Sequence, residues 1–138
     1  VLDVKLRYLD EDLKSRQAIA AYYYDNINNP LITMPKRLPD TENVYHLFPI
    51  LVGNGQVAIG NMRDKLQAYL AENGVGTLIH YPIAPHKQEC YANEAWNRPQ
   101  LLLPITEQIA DKELSLPISP CMTIEEAAEV MRLINNWK

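Results

Sequence analysis

"TLIHYPIAPHKQECY", residues 77–91, holds two of the chain's three histidines, two prolines and two tyrosines in fifteen positions. Its first three residues read as a short buried strand. A strand that runs straight into His80, Tyr81 and Pro82 delivers polar side chains at the sheet edge where α/β proteins meet ligands. Pro82 and Pro85 stiffen the connection, which lowers the entropy cost of holding those groups toward a ligand. The preceding residues decide what the strand packs on. Met62, Leu66, Tyr69 and Leu70 share one helical face, and Gly74 suits the left-handed position after a last helical turn. Asn61, three residues before Asp64, reads as the helix cap. A helix lying on a sheet and feeding a rigid polar loop is thus the central unit.

Working outward, Leu2, Leu6, Leu9 and Leu13 recur at spacings of four and three, the mark of a helix with one apolar stripe. Ala18, Ala20, Ala21 and Tyr24 extend it, and Asn26, Asn28, Asn29 and Pro30 stop it. "LITMP" (31–35) and "NVYHLFPILV" (43–52) read as strands, the second with Val44, His46, Phe48, Ile50 and Val52 on one face. Pro49 cannot donate to a ladder, which predicts an edge strand or a bulge. Asn54-Gly55 suits a hairpin turn into "QVAI" (56–59). A short helix between Pro104 and Asp111 and a last strand "LSLP" (114–117) follow. Thr123 with Glu126 forms a capping box for a final helix whose apolar face carries Ile124, Ala128, Met131, Ile134 and Trp137. The expected fold class is α/β (α+β): a three- to four-stranded sheet packed with helices, the first and last of them long.

A chain of 138 residues fits a single domain, which buries roughly 68% of its unfolded surface. A net charge of −4, with basic residues scattered, argues against nucleic acid as a partner. No apolar run approaches the ~20 residues that span a bilayer. Two cysteines, Cys90 and Cys121, do not make a secreted disulfide scaffold, so a reducing cytoplasm is expected. The chain opens on Val1, already inside an amphipathic pattern. That predicts a piece of a longer polypeptide, with residues 1–138 as one domain of it.

Histidine and tyrosine both donate hydrogen bonds to anionic oxygens, and imidazole also carries charge near neutral pH. His80 and Tyr81 therefore suit a phosphate or a sugar hydroxyl. The competing reading is that His80 only satisfies a backbone group beneath a proline turn. His86 and Cys90, four apart, would share a helix face with His80 as a third metal ligand, yet no cysteine pair or second histidine motif completes a site. A Cys90–His86 nucleophile has as little support. His46 reads as a core histidine, Arg98 as a solvated surface arginine, and Gly74–Gly76 as a helix stop rather than a phosphate loop.

"GVGTLIHYPIAPHKQECY" (74–91) resembles a motif near the C-terminus of the DegT/DnrJ-type sugar aminotransferases: glycine, apolar, x, threonine, x, apolar, histidine, tyrosine, proline, then histidine, glutamine and tyrosine. The likeness extends over the whole chain. "VKLRYLDEDLKSRQAIAAYYYDNI" (4–27) is similar to the long helix leaving that family's large domain. "NVYHLFPILV" is similar to its histidine-bearing strand, and "MRDKLQAYLAENGVGT" (62–77) to the helix feeding the motif. "PITEQIADKELSLPISPCMTIEEAAEVMRLINNW" (104–137) is similar to its C-terminal segment.

The resemblance implies the small C-terminal domain of an aspartate-aminotransferase-like fold, from a homodimeric enzyme. Such an enzyme moves an amino group from glutamate to a nucleotide-linked ketosugar. It implies substrate-side roles for His80 and Tyr81 near the nucleotide-sugar diphosphate, and for His86 further along the loop. The family usually has proline where Ala84 stands; Pro85 comes one position later here, which bears on how His86 is oriented. Pyridoxal phosphate would sit on a lysine in the large domain, upstream of this chain, so the chain alone is expected to be inactive and to expose apolar surface. The alternative is a non-catalytic sugar-nucleotide-binding or regulatory module; some members of the family are regulators or dehydratases.

Overall fold

The computed structural model describes residues 2–37, 43–53, 62–92 and 101–138. In chain order the elements are α1 (Leu2–Leu6), α2 (Leu9–Asn26), β1 (Ile32–Thr33), β2 (Phe48–Val52), α3 (Met62–Glu72), α4 (Pro104–Lys112), β3 (Glu113–Leu116) and α5 (Ile124–Asn136). Two 3-10 turns, Pro85–Lys87 and Glu89–Tyr91, lie between α3 and α4. The three strands form one antiparallel sheet in the order β1-β2-β3. The mixed α/β class expected from the sequence is the class observed. Asn54-Gly55, "QVAI", Asn61 and Arg98 fall outside the described residues.

One apolar cluster joins the sheet to three helices. Phe48, Ile50 and Val52 of β2 and Leu114 and Leu116 of β3 pack with Ile19, Ala20 and Tyr23 of α2, Leu66 and Leu70 of α3, and Ala127, Val130, Leu133 and Ile134 of α5. Burying a side chain of this size contributes about 1.5–3 kcal/mol each. The α3 face predicted from spacing is therefore the buried one, and Gly74 follows it at φ 79. On α5 the capping box forms as expected, with Thr123 and Glu126 exchanging both bonds. The buried face is shifted: Ile134 is buried and Ala128, Met131 and Trp137 half-buried as expected, but Ile124 is exposed and Ala127, Val130 and Leu133 are buried. Both stripes have helical spacing, and only the direction of approach to α2 and the sheet selects between them.

Three other expectations change. The first helix is two: tight bonds from Arg7 N–H to the Val4 carbonyl and from Tyr8 N–H to the Lys5 carbonyl close α1 before α2 begins. No residue of α1 is buried, so packing does not oppose the break. Asp10, Glu11 and Asp12 stabilise a fresh N-terminus through the helix dipole. The strand at 43–52 is ladder-paired only from Phe48. Tyr45 has φ 45, its N–H bonds to the Asn43 side chain, and the Arg16 guanidinium takes the carbonyls of Tyr45, His46 and Ile118.

Pro49 lies on the central strand rather than at an edge or bulge. Ser115, opposite it, spends its backbone N–H and carbonyl on Leu78, so Pro49 and Ser115 form a pair without mutual hydrogen bonds. The proline nitrogen therefore faces the β1 side, where β1 reaches only Leu51 and Val52. The missing donor costs nothing there.

Asn29, buried where α2 meets the end of α5, ties the two. Its Nδ2 donates to the carbonyls of Ile134 (2.7 Å) and Trp137 (2.8 Å), and its Oδ1 accepts from Leu31 N–H (2.9 Å). Stranding such groups costs about 1–3 kcal/mol each. Asn29→Ala is expected to lower the urea midpoint by the equivalent of about 3 kcal/mol with an unchanged m-value. Exposed Asn28→Ala should stay within about 0.5 kcal/mol of wild type.

Candidate functional site

Strand β3, "ELSL", alternates in chemistry but not in burial. Leu114 and Leu116 enter the apolar cluster, while Glu113 (3% exposed) and Ser115 (4% exposed) lie on the opposite face of the strand and are equally inaccessible. A buried carboxylate demands partners, and it has them. Glu113 Oε2 accepts the backbone N–H of His80 at 2.6 Å, and Oε1 accepts the Ser115 hydroxyl. The Ser115 Oγ is in turn 2.9 Å from His80 Nδ1. One residue pair on β3 thus holds both the backbone and the ring of His80.

The segment reaching His80 is not the buried strand expected at 77–79. Only Leu78 bridges, to Ser115, and its side chain is 65% exposed. Its period is that of a strand, but a single bridge on the outer edge of β3 leaves one side without a layer to cover it. The Glu113 carboxylate then takes the His80 N–H as a further ladder partner would. The reading of His80 as a bond to a backbone group fails for the ring, which bonds the Ser115 hydroxyl.

Tyr81 follows across a cis peptide bond and is 70% exposed. The two rings meet edge to face, with centroids 5.6 Å apart. His80 and Tyr81 are therefore brought together, one half-buried and anchored, the other projecting to solvent.

His86 is separated from them. It is 5% exposed, and its Nε2 lies 3.1 Å from Glu107 Oε1 on α4. Its Nδ1 is buried without a hydrogen-bond partner among the described residues. Lys87 Nζ donates to Glu107 Oε2 at 2.7 Å, and Leu103 N–H donates to Oε1. The hydrogen bond from Lys87 above all, then those from Leu103 and His86, hold the Glu107 carboxyl at about 2, against an ordinary 4.5. This cluster fastens the 3-10 turn at Pro85–Lys87 to the start of α4. Cys90 is exposed on the next 3-10 turn, so it shares no face with His86.

His46, expected in the core, is exposed, because its segment leaves the ladder before Phe48. With Leu9, Asp10, Asp12, Leu13, Arg16, Val44 and Pro120 it lines an open cleft of about 350 Å³ that contains none of His80, Tyr81 and His86. Glu113, Ser115 and Arg16 escaped the sequence reading. For the first two a signal was present: polar residues at i and i+2 alternating with Leu114 and Leu116, although the strand expected at 114–117 leaves out Glu113. Arg16 left no such trace.

The sequence matches the profile of the DegT/DnrJ/EryC1/StrS aminotransferase family over residues 1–135. The chain belongs to that family. It is 44% identical, over 137 residues, to the dTDP-3-amino-3,6-dideoxy-alpha-D-galactopyranose transaminase of Aneurinibacillus thermoaerophilus, covering 99% of this chain and 34% of that protein. It is 37% identical over 132 residues to the erythromycin biosynthesis sensory transduction protein EryC1 of Saccharopolyspora erythraea, covering 95% of this chain and 33% of that one. Its fold superposes on the crystal structure of Streptomyces venezuelae DesV in complex with a ketimine intermediate, with a TM-score of 0.85 and 36% identity over 99% of this chain and 34% of that chain. The chain therefore spans about a third of the length of the relatives it matches.

Among the described residues no lysine that could form a Schiff base is buried. Lys5, Lys14, Lys36, Lys65, Lys87 and Lys138 are exposed and Lys112 is half-buried. The buried carboxylate, Glu113, has both oxygens committed. None of the described helices is long and apolar enough to cross a membrane.

The Glu107 cluster has a pH signature. A carboxyl depressed on folding contributes stability that is complete above its unfolded value and disappears as pH falls toward the folded one. Urea midpoints of wild type and Glu107→Gln should therefore differ at pH 7. The gap should narrow as pH falls from about 4.5 toward 2. A gap constant over that range would contradict the assignment.

Proposed function

We propose that the chain is the C-terminal, substrate-side domain of a pyridoxal-phosphate-dependent aminotransferase that transfers an amino group from glutamate to a nucleotide-linked ketosugar. The observation that carries this is the His80–Tyr81 pair, anchored from beneath by Glu113 and Ser115 and projecting an exposed phenol. The 44% identity to a dTDP-sugar transaminase supports the same reading. In it, Tyr81 and His80 contact the sugar-nucleotide near its diphosphate. His86 acts at one remove, by holding the loop to Glu107. The cofactor would supply the electron sink for transamination, from the portion of the enzyme that precedes this chain. What these residues do is bind and orient: a donor and a ring held at fixed spacing reduce the freedom of the carrier group before reaction.

A homodimer and a cytoplasmic setting complete the proposal. Leu2, Val4, Leu6 and Leu9 are exposed at the N-terminal end, a patch that packing on a preceding domain or a partner subunit would cover. Both cysteines are free, as a reducing compartment allows. The second reading, a regulatory module that keeps the sugar-nucleotide loop, is favoured by the likeness to a protein named for sensory transduction.

The complete protein, assayed with glutamate and a panel of nucleotide-linked ketosugars, should aminate at least one of them. His80→Ala and Tyr81→Phe should raise KM roughly 10-fold or more while kcat changes less, the mark of lost binding shared by ground and transition states. Unchanged KM in both variants would remove these residues from the substrate. The 138-residue chain mixed with pyridoxal phosphate should give no stoichiometric absorption band of a lysine adduct, and a clear band would overturn the assignment of the cofactor to another domain.

A further inference from the structure

We infer that Glu113 and Ser115 are positioning residues that lock neutral His80 in its Nδ1–H tautomer, so that Nε2 faces outward as a hydrogen-bond acceptor. A serine hydroxyl has one proton. With Glu113 as the carboxylate that proton goes to Oε1, and the 2.9 Å contact between Ser115 Oγ and His80 Nδ1 is then closed by a proton on Nδ1. The direction of the Ser115 hydroxyl is itself set from the other side. Glu113 accepts at both oxygens, from the His80 backbone N–H at 2.6 Å and from Ser115, and both residues are buried, so no solvent competes. The order runs carboxylate, hydroxyl, imidazole, and each link leaves the next one choice.

The other ring nitrogen makes no hydrogen bond among the described residues, and it is not among their buried unpartnered atoms. The half-buried His80 ring meets the exposed Tyr81 ring edge to face, and that nitrogen is the one left for a ligand. With the tautomer locked, neutral His80 offers a lone pair there and recognises a donor, such as a sugar hydroxyl. An anionic oxygen would need the ring protonated. The use of that lone pair on substrate rests on the function proposed above. The tautomer does not, and it is tested without any ligand.

Two-bond 15N–1H spectra of histidine-labelled 138-residue chain, at about pH 8.5 where an ordinary imidazole is neutral, read each ring's tautomer directly. His80→Gln identifies the His80 signals by their loss. The wild-type His80 should show a protonated-type Nδ1 and an unprotonated-type Nε2. The reverse pattern, or an averaged one, would overturn the lock. Glu113→Gln provides the decisive reversal. The His80 N–H keeps the amide oxygen facing it, the amide NH2 then donates to Ser115 Oγ, and the freed hydroxyl donates to Nδ1. The two nitrogen shifts should exchange places while the other histidines stay put. An unchanged pattern in a variant with native circular dichroism would sink the proposal. Should Glu113→Gln not fold, Ser115→Ala serves: loss of the Nδ1–H preference supports the lock, and its retention overturns it.

Discussion

A carboxylate buried on a small sheet is the constraint around which the His80 end of this molecule is arranged. An unpaired buried charge is costly, and even a single unsatisfied polar group costs on the order of 1–3 kcal/mol. Glu113 avoids that cost by taking the His80 backbone N–H and the Ser115 hydroxyl, one on each oxygen. The His80 N–H bond to Glu113, together with the ring's bond to Ser115, docks the segment 77–80 on the outer edge of β3, where a backbone bridge at Leu78 is the other tie. Satisfying the charge and placing the histidine are one event.

The strand supplying this carboxylate serves two faces at once. Leu114 and Leu116 join the cluster built with α2, α3 and α5, while Glu113 and Ser115 turn to the site. His80 is thereby anchored to the core through a strand rather than a loop, which fixes the direction of its ring. The loop's far end is fastened differently. Glu107 gathers Lys87, His86 and Leu103 around one carboxyl, an arrangement partly open to solvent and sensitive to acid. Between these two anchors Tyr81 stands exposed.

Much of this was legible beforehand. The α3 stripe, the Gly74 stop, the capping box at Thr123 and Glu126, the mixed α/β class and the family all follow from local periodicity or from motifs, which depend on residues near one another in sequence. The misreadings share a cause. Pro49 on the central strand, the break at Arg7 and Tyr8, exposed His46 and the shifted face of α5 each turn on what a neighbouring element does or fails to do. A proline is harmless in mid-sheet only because β1 is short, and no pattern within 43–52 records the length of β1.

The sequence by itself determined where most helices and strands could form, that His80 and Tyr81 share one proline-stiffened loop, and the family to which the chain belongs. Hydrophobic periodicity, capping and proline placement act over a few residues, so they are written in order along the chain. Only the tertiary structure decided how His80 is anchored beside Tyr81 and that His86 is buried. His80 is captured by Glu113 and Ser115, thirty-three and thirty-five residues away, and His86 by Glu107, twenty-one away. Hydrogen bonds between distant side chains require the strands and α4 to be in place first, and that assembly is a property of the packed molecule alone.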